Sequence, residues 1–164
     1  MVTAREVVEA VADPELPALT LADLGILRDV EEDERGRVTV IITPTYTGCP
    51  AMDTMRDDVE HALAGAGYRH IEVRKVLQPP WTTDWITAKG RRKLAAAGLA
   101  PPGPARHPGP GPVPLVLGAR PQPVRCPRCG SVDTTETSRF GATACKALWR
   151  CRSCAEPFEH IKEL

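Results

Sequence analysis

TPTYTGCPAMDTMRDDV, residues 43–59, joins a predicted strand to a predicted helix and places a cysteine at the junction. Proline is favoured at the first helical position because its missing N–H would be unpaired there, so Pro50 predicts that Cys49 is the N-cap. The helix is amphipathic, with apolar residues at spacings of three and four: Met52, Met55, Val59, Ala62 and Leu63. Backbone amides and the helix dipole at this end favour a thiolate and lower a thiol pKa. Cys49 is therefore predicted to be a reactive or metal-accepting thiol, and a buried structural cysteine is the alternative.

The segments on either side of this stretch predict a small α+β domain. Two strands, residues 26–31 and 37–43, flank a turn at Gly36 and are expected to pair antiparallel. HIEVRKVL, residues 70–77, alternates as a third strand, and helices are predicted at residues 2–11 and 88–97. The predicted order is helix, two-strand hairpin, helix, strand, helix. The predicted core consists of Val7, Val11, Ile26, Val40, Ile42, Met55, Val59, Leu63, Ile71, Val73 and Leu94. Trp81 and Trp85 are expected to cover the sheet or to form the wall of a groove.

A proline-rich segment divides the chain. Nine of the seventeen prolines lie between Pro101 and Pro123, interleaved with glycines, and such a composition cannot build a core. The sequence therefore predicts three parts: an α+β domain at residues 1–98, a Pro/Gly-rich linker at 99–124 and a C-terminal module at 125–164.

The C-terminal module contains four cysteines in two C-x2-C pairs, separated by twenty-one residues: Cys126, Cys129, Cys151 and Cys154. Two such pairs can present four thiolates as a tetrahedron around zinc, so the spacing predicts a zinc ribbon. The residues between the pairs predict two strands joined by a turn at Phe140-Gly141-Ala142. A unit of this size buries little apolar surface, so the metal is expected to stabilise its fold. An iron–sulfur cluster on the same thiolates is the alternative.

Cys145 is a further thiol outside the two pairs. The neighbouring Lys146 favours a thiolate, which suits a redox or transient ligand role, and a partly buried cysteine at a strand end is the alternative. His61, His70 and His160 have no partner at metal-ligand spacing and are expected to lie on solvated faces.

Charge and composition exclude several classes of protein. The net charge is zero, and glutamates offset the basic residues near the C-terminus, so neither nucleic-acid binding nor membrane-surface binding is expected. No apolar run approaches the roughly 20 residues that span a bilayer, and the N-terminal residues lack the order of a secretory signal. A cytoplasmic location is therefore expected, where C-x2-C pairs hold metals or serve redox chemistry more often than they form disulfides.

Three segments resemble one known family. DPELPALTLADLGIL (residues 13–27), PTYTGCPAM (44–52) and PPWTTDWITAKGRRKL (79–94) are similar, in that order, to the metal-sulfur cluster biosynthesis domain of SufT-type proteins. WTTDW followed by the cysteine array resembles the PaaD (PaaJ) family of phenylacetyl-CoA epoxidase accessory proteins. The resemblance assigns Cys49 to the family's cysteine and Asp23 to its acidic residue. IKEL stands where that family often has a further cysteine after EPF, which argues against a scheme with five or more thiolates.

The resemblance implies an accessory protein that is not an enzyme. It would bind oxygenase or reductase subunits and support the iron–sulfur or di-iron cofactor of the epoxidase, with Cys49 and Asp23 relaying iron or a nascent cluster. A general iron–sulfur carrier for other enzymes is one alternative. A thiol-dependent enzyme using Cys49 is less favoured, because no histidine lies in the motifs around it to act as a base. Self-association into a homodimer is left open.

Overall fold

A computed structural model describes residues 2–46, 48–105 and 124–164. The chain forms two units, residues 1–93 and 94–164. The elements are α1 (Ala4–Glu9), β1 (Leu27–Glu32), β2 (Arg37–Ile42), α2 (Met52–Gly65), β3 (His70–Lys75), a 3-10 turn (Thr83–Trp85), α3 (Ala88–Ala96), β4 (Leu99–Ala100), β5 (Thr134–Ser138), β6 (Lys146–Cys151) and β7 (Pro157–Ile161). The α+β class and the small domain of helices and three strands predicted for the first part are confirmed.

The first unit is built on a three-stranded sheet with β2 in the centre. β1 pairs antiparallel with β2, as predicted, and β3 pairs with β2 in parallel. Val38, Val40 and Ile42 are each at most 1% exposed, because alternate residues of β2 face the same side of the sheet. The parallel pairing sends the C-terminal ends of β2 and β3 to the same edge.

The helices of this unit bury apolar faces. Thr3 caps α1 in a reciprocal capping box with Glu6, and α2 buries Met52, Met55, Val59 and Leu63. The predicted start of α2 is wrong by two residues, because Ala51 is the N-cap and Cys49 is not. Cys49 and Pro50 precede the helix as a turn, in which the Met52 amide donates to the Cys49 carbonyl at 3.4 Å.

The predicted core is largely confirmed. Eight of the eleven residues are buried, whereas Val7, Ile71 and Val73 are half-buried. Trp81 is buried and Trp85 is half-buried. The core also contains buried leucines that precede β1 and were not predicted: Leu19, Leu21 and Leu24. This segment reads as a turn-rich connection, yet its side chains contribute to the core.

The second unit contains a four-stranded sheet in the order β4-β7-β6-β5. The predicted antiparallel pair of strands between the cysteine pairs is present as β5 and β6. β7 and β4 were not predicted, and β4, at residues assigned to the linker, pairs in parallel with β7. Residues 106–123 of the predicted linker lie outside the described residues. The domain boundaries at 98 and 124 stay predictions. Within the described ranges, every helix is too short or too polar to cross a bilayer.

Candidate metal centre and thiol loop

The four cysteines of the C-x2-C pairs converge on one point. The sulfurs of Cys126, Cys129, Cys151 and Cys154 all lie within 4.8 Å of one another. The Cys126 and Cys154 sulfurs are 3.8 Å apart, and those of Cys129 and Cys151 are 3.6 Å apart. A tetrahedron with zinc–sulfur bonds of about 2.3 Å has sulfurs about 3.8 Å apart, so these residues fit a single zinc ion. A cluster of several iron atoms would hold the sulfurs further apart.

The two cysteine pairs have the same backbone geometry. The Cys126 amide donates to the Ser131 carbonyl and the Cys151 amide donates to the Glu156 carbonyl, each at 2.9 Å. The residue after the second cysteine has a positive φ in both turns, 74° at Gly130 and 61° at Ala155. These tight turns are the knuckles of the ribbon, and they aim backbone N–H groups at the sulfurs.

The sulfurs already differ in proton affinity. The Ser131 amide lowers the pKa of the Cys129 thiol, but Cys154, burial and Cys151 outweigh it and raise that pKa to about 12. Backbone amides of Cys154 and Ser153 lower the pKa of Cys151 to about 7. A metal ion ionises such thiols outright, so its binding here would release protons.

Two polar links join the knuckles outside the sulfurs. Arg128 forms an ion pair with Glu156, and the Ser131 and Ser153 hydroxyls are 2.8 Å apart. Each link joins one residue of the first knuckle to one residue of the second, so the two knuckles are held together beside the four sulfurs. The sequence analysis missed these residues, because their pairing depends on the way the ribbon folds.

The remaining candidates of this unit lie apart from the four sulfurs. Cys145 is half-buried, and its sulfur lies 3.0 Å from the Thr143 hydroxyl. His160 is only 4% exposed, so the prediction of a solvated face is wrong for this residue. Its Nε2 atom lies 3.5 Å from a carboxylate oxygen of Glu163. His160 lowers the pKa of the Glu163 carboxyl to about 2.

Cys49 lies in the first unit, in the connection between β2 and α2. Its side chain is half-buried, and its amide donates to the Tyr46 carbonyl at 3.3 Å. Gly48, directly before it, has a φ of 88°, and a Cβ added there would meet no atom within 4 Å. The backbone directly before the Cys49 thiol is therefore surrounded by open space.

Asp23 lies in the turn before β1 and is 5% exposed. Its Oδ2 atom accepts from the Lys93 ammonium at 2.5 Å and from the Thr20 amide at 3.1 Å. Burial raises the pKa of the Asp23 carboxyl, but Lys93, the Thr20 amide and Lys89 outweigh it, so the pKa lies below its ordinary value. Asp23 is therefore an anion held by a cation from α3.

The three segments that resemble the SufT-type domain meet at one edge of the sheet. The Thr43 amide donates to the Ile26 carbonyl at 2.9 Å, which joins the segment of Asp23 to that of Cys49. Trp81 Nε1 donates to the Leu24 carbonyl at 2.9 Å, and the Thr87 amide donates to the Asp23 carbonyl at the same distance. This edge is also where β2 and β3 end. The fold thus gathers both residues that the resemblance singles out on neighbouring segments.

Two sequence families match the chain. Residues 3–74 match the family "Iron-sulfur cluster assembly protein", and residues 111–162 match "PaaD zinc beta ribbon domain". The first match contains Asp23 and Cys49, and the second contains all four cysteines of the C-x2-C pairs.

Relatives match either the whole chain or its first half. A protein from Escherichia coli (strain K12), provisionally named as one of the subunits of 1,2-phenylacetyl-CoA epoxidase, is 44% identical over 93% of this chain and 86% of its own length. The Fe-S protein maturation auxiliary factor SufT of Staphylococcus aureus (strain USA300) is 37% identical over 53% of this chain and 99% of its own. A crystal structure of a DUF59 domain of unknown function from Bacillus anthracis is 31% identical, with a TM-score of 0.52 over 56% of this chain and 87% of that one.

Proposed function

The chain belongs to the PaaD family, together with the Escherichia coli epoxidase relative, and on that premise we propose that it is an accessory protein, not an enzyme. It supports the iron–sulfur or di-iron cofactor of the phenylacetyl-CoA epoxidase complex by binding oxygenase or reductase subunits. The observation that carries the proposal is that the identity with the Escherichia coli relative extends over 93% of the chain. It therefore includes both the ribbon and the first unit, here called the assembly-type unit because residues 3–74 match the assembly family.

In this proposal the four converging cysteines, here called the cage, have a structural role. Four thiolates complete the coordination of zinc and leave no open position for a substrate. Zinc would supply folding energy to the ribbon, and Cys126, Cys129, Cys151 and Cys154 would hold it. The ribbon then presents a fixed surface to a protein partner.

Cys49 is the residue that would handle the cargo. A half-buried thiol in a loop can be reached by a partner and still be shielded from solvent. We assign it the transient holding of iron or of a nascent cluster. Iron bound at Asp23 would compete with Lys93 for the charge of the carboxylate, because the Lys93 ammonium already donates to Oδ2.

The test compares two thiols of the same chain. Cys49→Ser is expected to lower the cofactor occupancy of the epoxidase complex in cells, measured as iron and sulfide per complex. Cys145→Ser is the matched control, because Cys145 is equally half-buried and lies outside the assembly-type unit. Occupancy that is unchanged in Cys49→Ser would remove Cys49 from the proposal.

A general carrier for other iron–sulfur enzymes is the second candidate. The observation that favours it is the match of residues 3–74 to an assembly family found without the ribbon in relatives such as the Staphylococcus aureus maturation factor. Deletion of the chain would then lower the activity of several iron–sulfur enzymes. A loss confined to the epoxidase favours the dedicated role.

A further inference from the structure

The turn between β5 and β6 exposes an aromatic ring. Phe140 is 70% exposed, more than any other large apolar side chain of the described residues. A ring this exposed buries little area in the ribbon's own core, and aromatic side chains are enriched at the centres of protein interfaces. Phe140 is therefore a candidate interface residue.

Hydrogen bonds fix the backbone of the turn that carries this ring. The Phe140 amide donates to the Ser138 hydroxyl at 3.2 Å, and that hydroxyl donates to the Phe140 carbonyl at 2.9 Å. The Gly141 amide donates to the Lys146 carbonyl at 2.9 Å. A Cβ on Gly141 would lie 3.1 Å from the Lys146 side chain and 3.2 Å from the Glu159 carboxylate, so the turn packs closely against β6 and β7. A turn whose backbone is ordered before binding loses less entropy when it binds.

Two cations accompany the ring. Lys162 Nζ lies 5.0 Å from the centre of the Phe140 ring and donates to the Arg139 carbonyl at 3.2 Å. Within the described parts of the chain, no carboxylate lies within 4.0 Å of the Arg139 or Lys162 cations. Arg128, Lys146 and Arg152 of the same unit each have such a carboxylate. Arg125 and Arg150 of the described part of this unit also lack one, so two of its four unpaired cations lie at the turn.

We propose that Arg139, Phe140 and Lys162, here called the hairpin-tip patch, are the docking surface for an acidic protein surface with an apolar pocket. The pocket takes the Phe140 ring, and carboxylates around it pair with Arg139 and Lys162. The proposal rests on the function proposed above, and it places the partner surface within the epoxidase complex.

A nucleic acid is the less favoured occupant. Proteins that bind single strands combine several stacking rings with a continuous basic groove. The patch has one ring and two cations, the Glu159 carboxylate lies beside the turn, and the chain has no net charge. An acidic protein surface with an apolar pocket can bind both the ring and the two cations of the patch with few contacts.

The experiment measures binding of the full-length chain to the purified epoxidase complex at two salt concentrations. Phe140→Ala is expected to weaken binding at least about tenfold, as the loss of an interface anchor does. Arg139→Glu is expected to slow association by about tenfold at low salt and by less at high salt. Val132→Ala is the matched control, because Val132 is an apolar residue of the ribbon that is 52% exposed outside the patch. Metal content of each variant confirms that the ribbon is folded.

The outcomes separate the two proposals. If the wild-type chain binds the complex and Phe140→Ala binds equally well, the patch is overturned and the accessory function stands. If the wild-type chain does not bind the complex, the accessory function and the partner named here both fail. Binding to duplex or single-stranded DNA that is lost in Phe140→Ala would overturn the assignment to a protein surface.

Discussion

The residue that follows the second cysteine is glycine in the first knuckle and alanine in the second. Gly130 and Ala155 both follow the second cysteine of a pair and both have positive φ values. Glycine adopts this conformation freely, whereas a residue with a Cβ loses roughly 1–2 kcal/mol there. Ala155 is the non-glycine residue with positive φ in the described chain, so the second knuckle is strained where the first is not.

Exchanging these residues should change ribbon stability in opposite directions. Ala155→Gly is expected to stabilise the ribbon by about 0.5–1 kcal/mol, because relief of the strain exceeds the added entropy of the unfolded chain. Gly130→Ala is expected to destabilise it by about 1 kcal/mol through backbone strain alone, since its Cβ would meet no atom within 4 Å. Competition with a coloured chelator measures both as shifts in zinc affinity. A weaker affinity in Ala155→Gly would contradict the strain at this position.

Zinc affinity should fall as the pH falls. Neighbouring sulfurs help raise the pKa of Cys129 to about 12, so this thiol is protonated at neutral pH until a metal displaces the proton. Each proton displaced costs up to about tenfold in apparent affinity per pH unit. Titration with zinc between pH 6 and pH 8, followed by calorimetry in two buffers, should show proton release on binding. Affinity independent of pH would mean that the metal does not bind to thiols.

At single residues, the sequence predicted which cysteines converge better than it predicted the neighbours of other residues. Cys126, Cys129, Cys151 and Cys154 were found from spacing, because two knuckles impose it. The ion pair of Asp23 with Lys93 joins residues seventy positions apart, and no local pattern encodes it. His160 was wrongly expected in solvent, since a lone histidine carries no sign of the strand that buries it.

Among the elements, α3 is placed by its contact with the turn before β1. A Cβ on Gly90 would lie 2.4 Å from the carbonyl oxygen of Asp23, so only glycine permits this approach. The Thr87 hydroxyl accepts from the Gly90 amide at 2.9 Å and starts the helix at this point. The close approach places Lys93, one turn further along α3, within hydrogen-bond distance of the Asp23 carboxylate.

Two glycine substitutions test this contact. Gly90→Ala is expected to destabilise the first unit by about 1–3 kcal/mol through overpacking, although alanine normally favours a helix. Gly65→Ala, in the last turn of α2, is the control and should be neutral or stabilising by up to about 1 kcal/mol, since its Cβ meets no atom within 4 Å. Urea unfolding followed by circular dichroism measures both. Equal effects of the two substitutions would show that α3 does not pack on the turn.

The helices and the hairpin were predictable from local patterns, and the later strands were not. β1 and β2 follow alternation around a turn, and α2 follows a spacing of three and four, although Pro50 placed its start two residues early. β4 has only two residues and gains its pairing from β7, so neither carried a signal of its own. The order of strands in the ribbon depends on contacts between these distant segments.

For the molecule as a whole, the two units should respond differently to metal removal. The ribbon buries a core of only a few residues: Ala100, Val124, Cys126, Ala147, Trp149, Cys151 and Phe158. So small a core needs the metal, whereas the first unit has an apolar core and, in its described part, no group of three or more side chains placed to hold a metal ion. A strong chelator is therefore expected to abolish amide protection in β5, β6 and β7 and to leave β1, β2 and β3 protected. Hydrogen exchange with mass spectrometry measures this, and equal loss in both units would contradict it.

The composition predicted two folded parts and a linker between them. Nine prolines within residues 101–123 separate an α+β sequence from a cysteine module. The structure divides into units 1–93 and 94–164, and the predicted boundaries at 98 and 124 stay predictions. The boundary was harder to predict, because no change in composition separates α3 from β4, whose residues were assigned to the linker. The functions proposed for the two units rest on the residues that each contains: a cysteine in a loop in one and four converging cysteines in the other.

The most direct test of this account is metal analysis of the anaerobically purified chain, combined with its visible absorption spectrum. The account predicts about one zinc per chain, no visible absorption from the cage, and the same zinc content in Cys49→Ser. It also predicts that the zinc is lost in Cys151→Ser. Iron and sulfide in the purified chain, with absorption bands that disappear in Cys151→Ser, would contradict it and make the ribbon itself the cluster site.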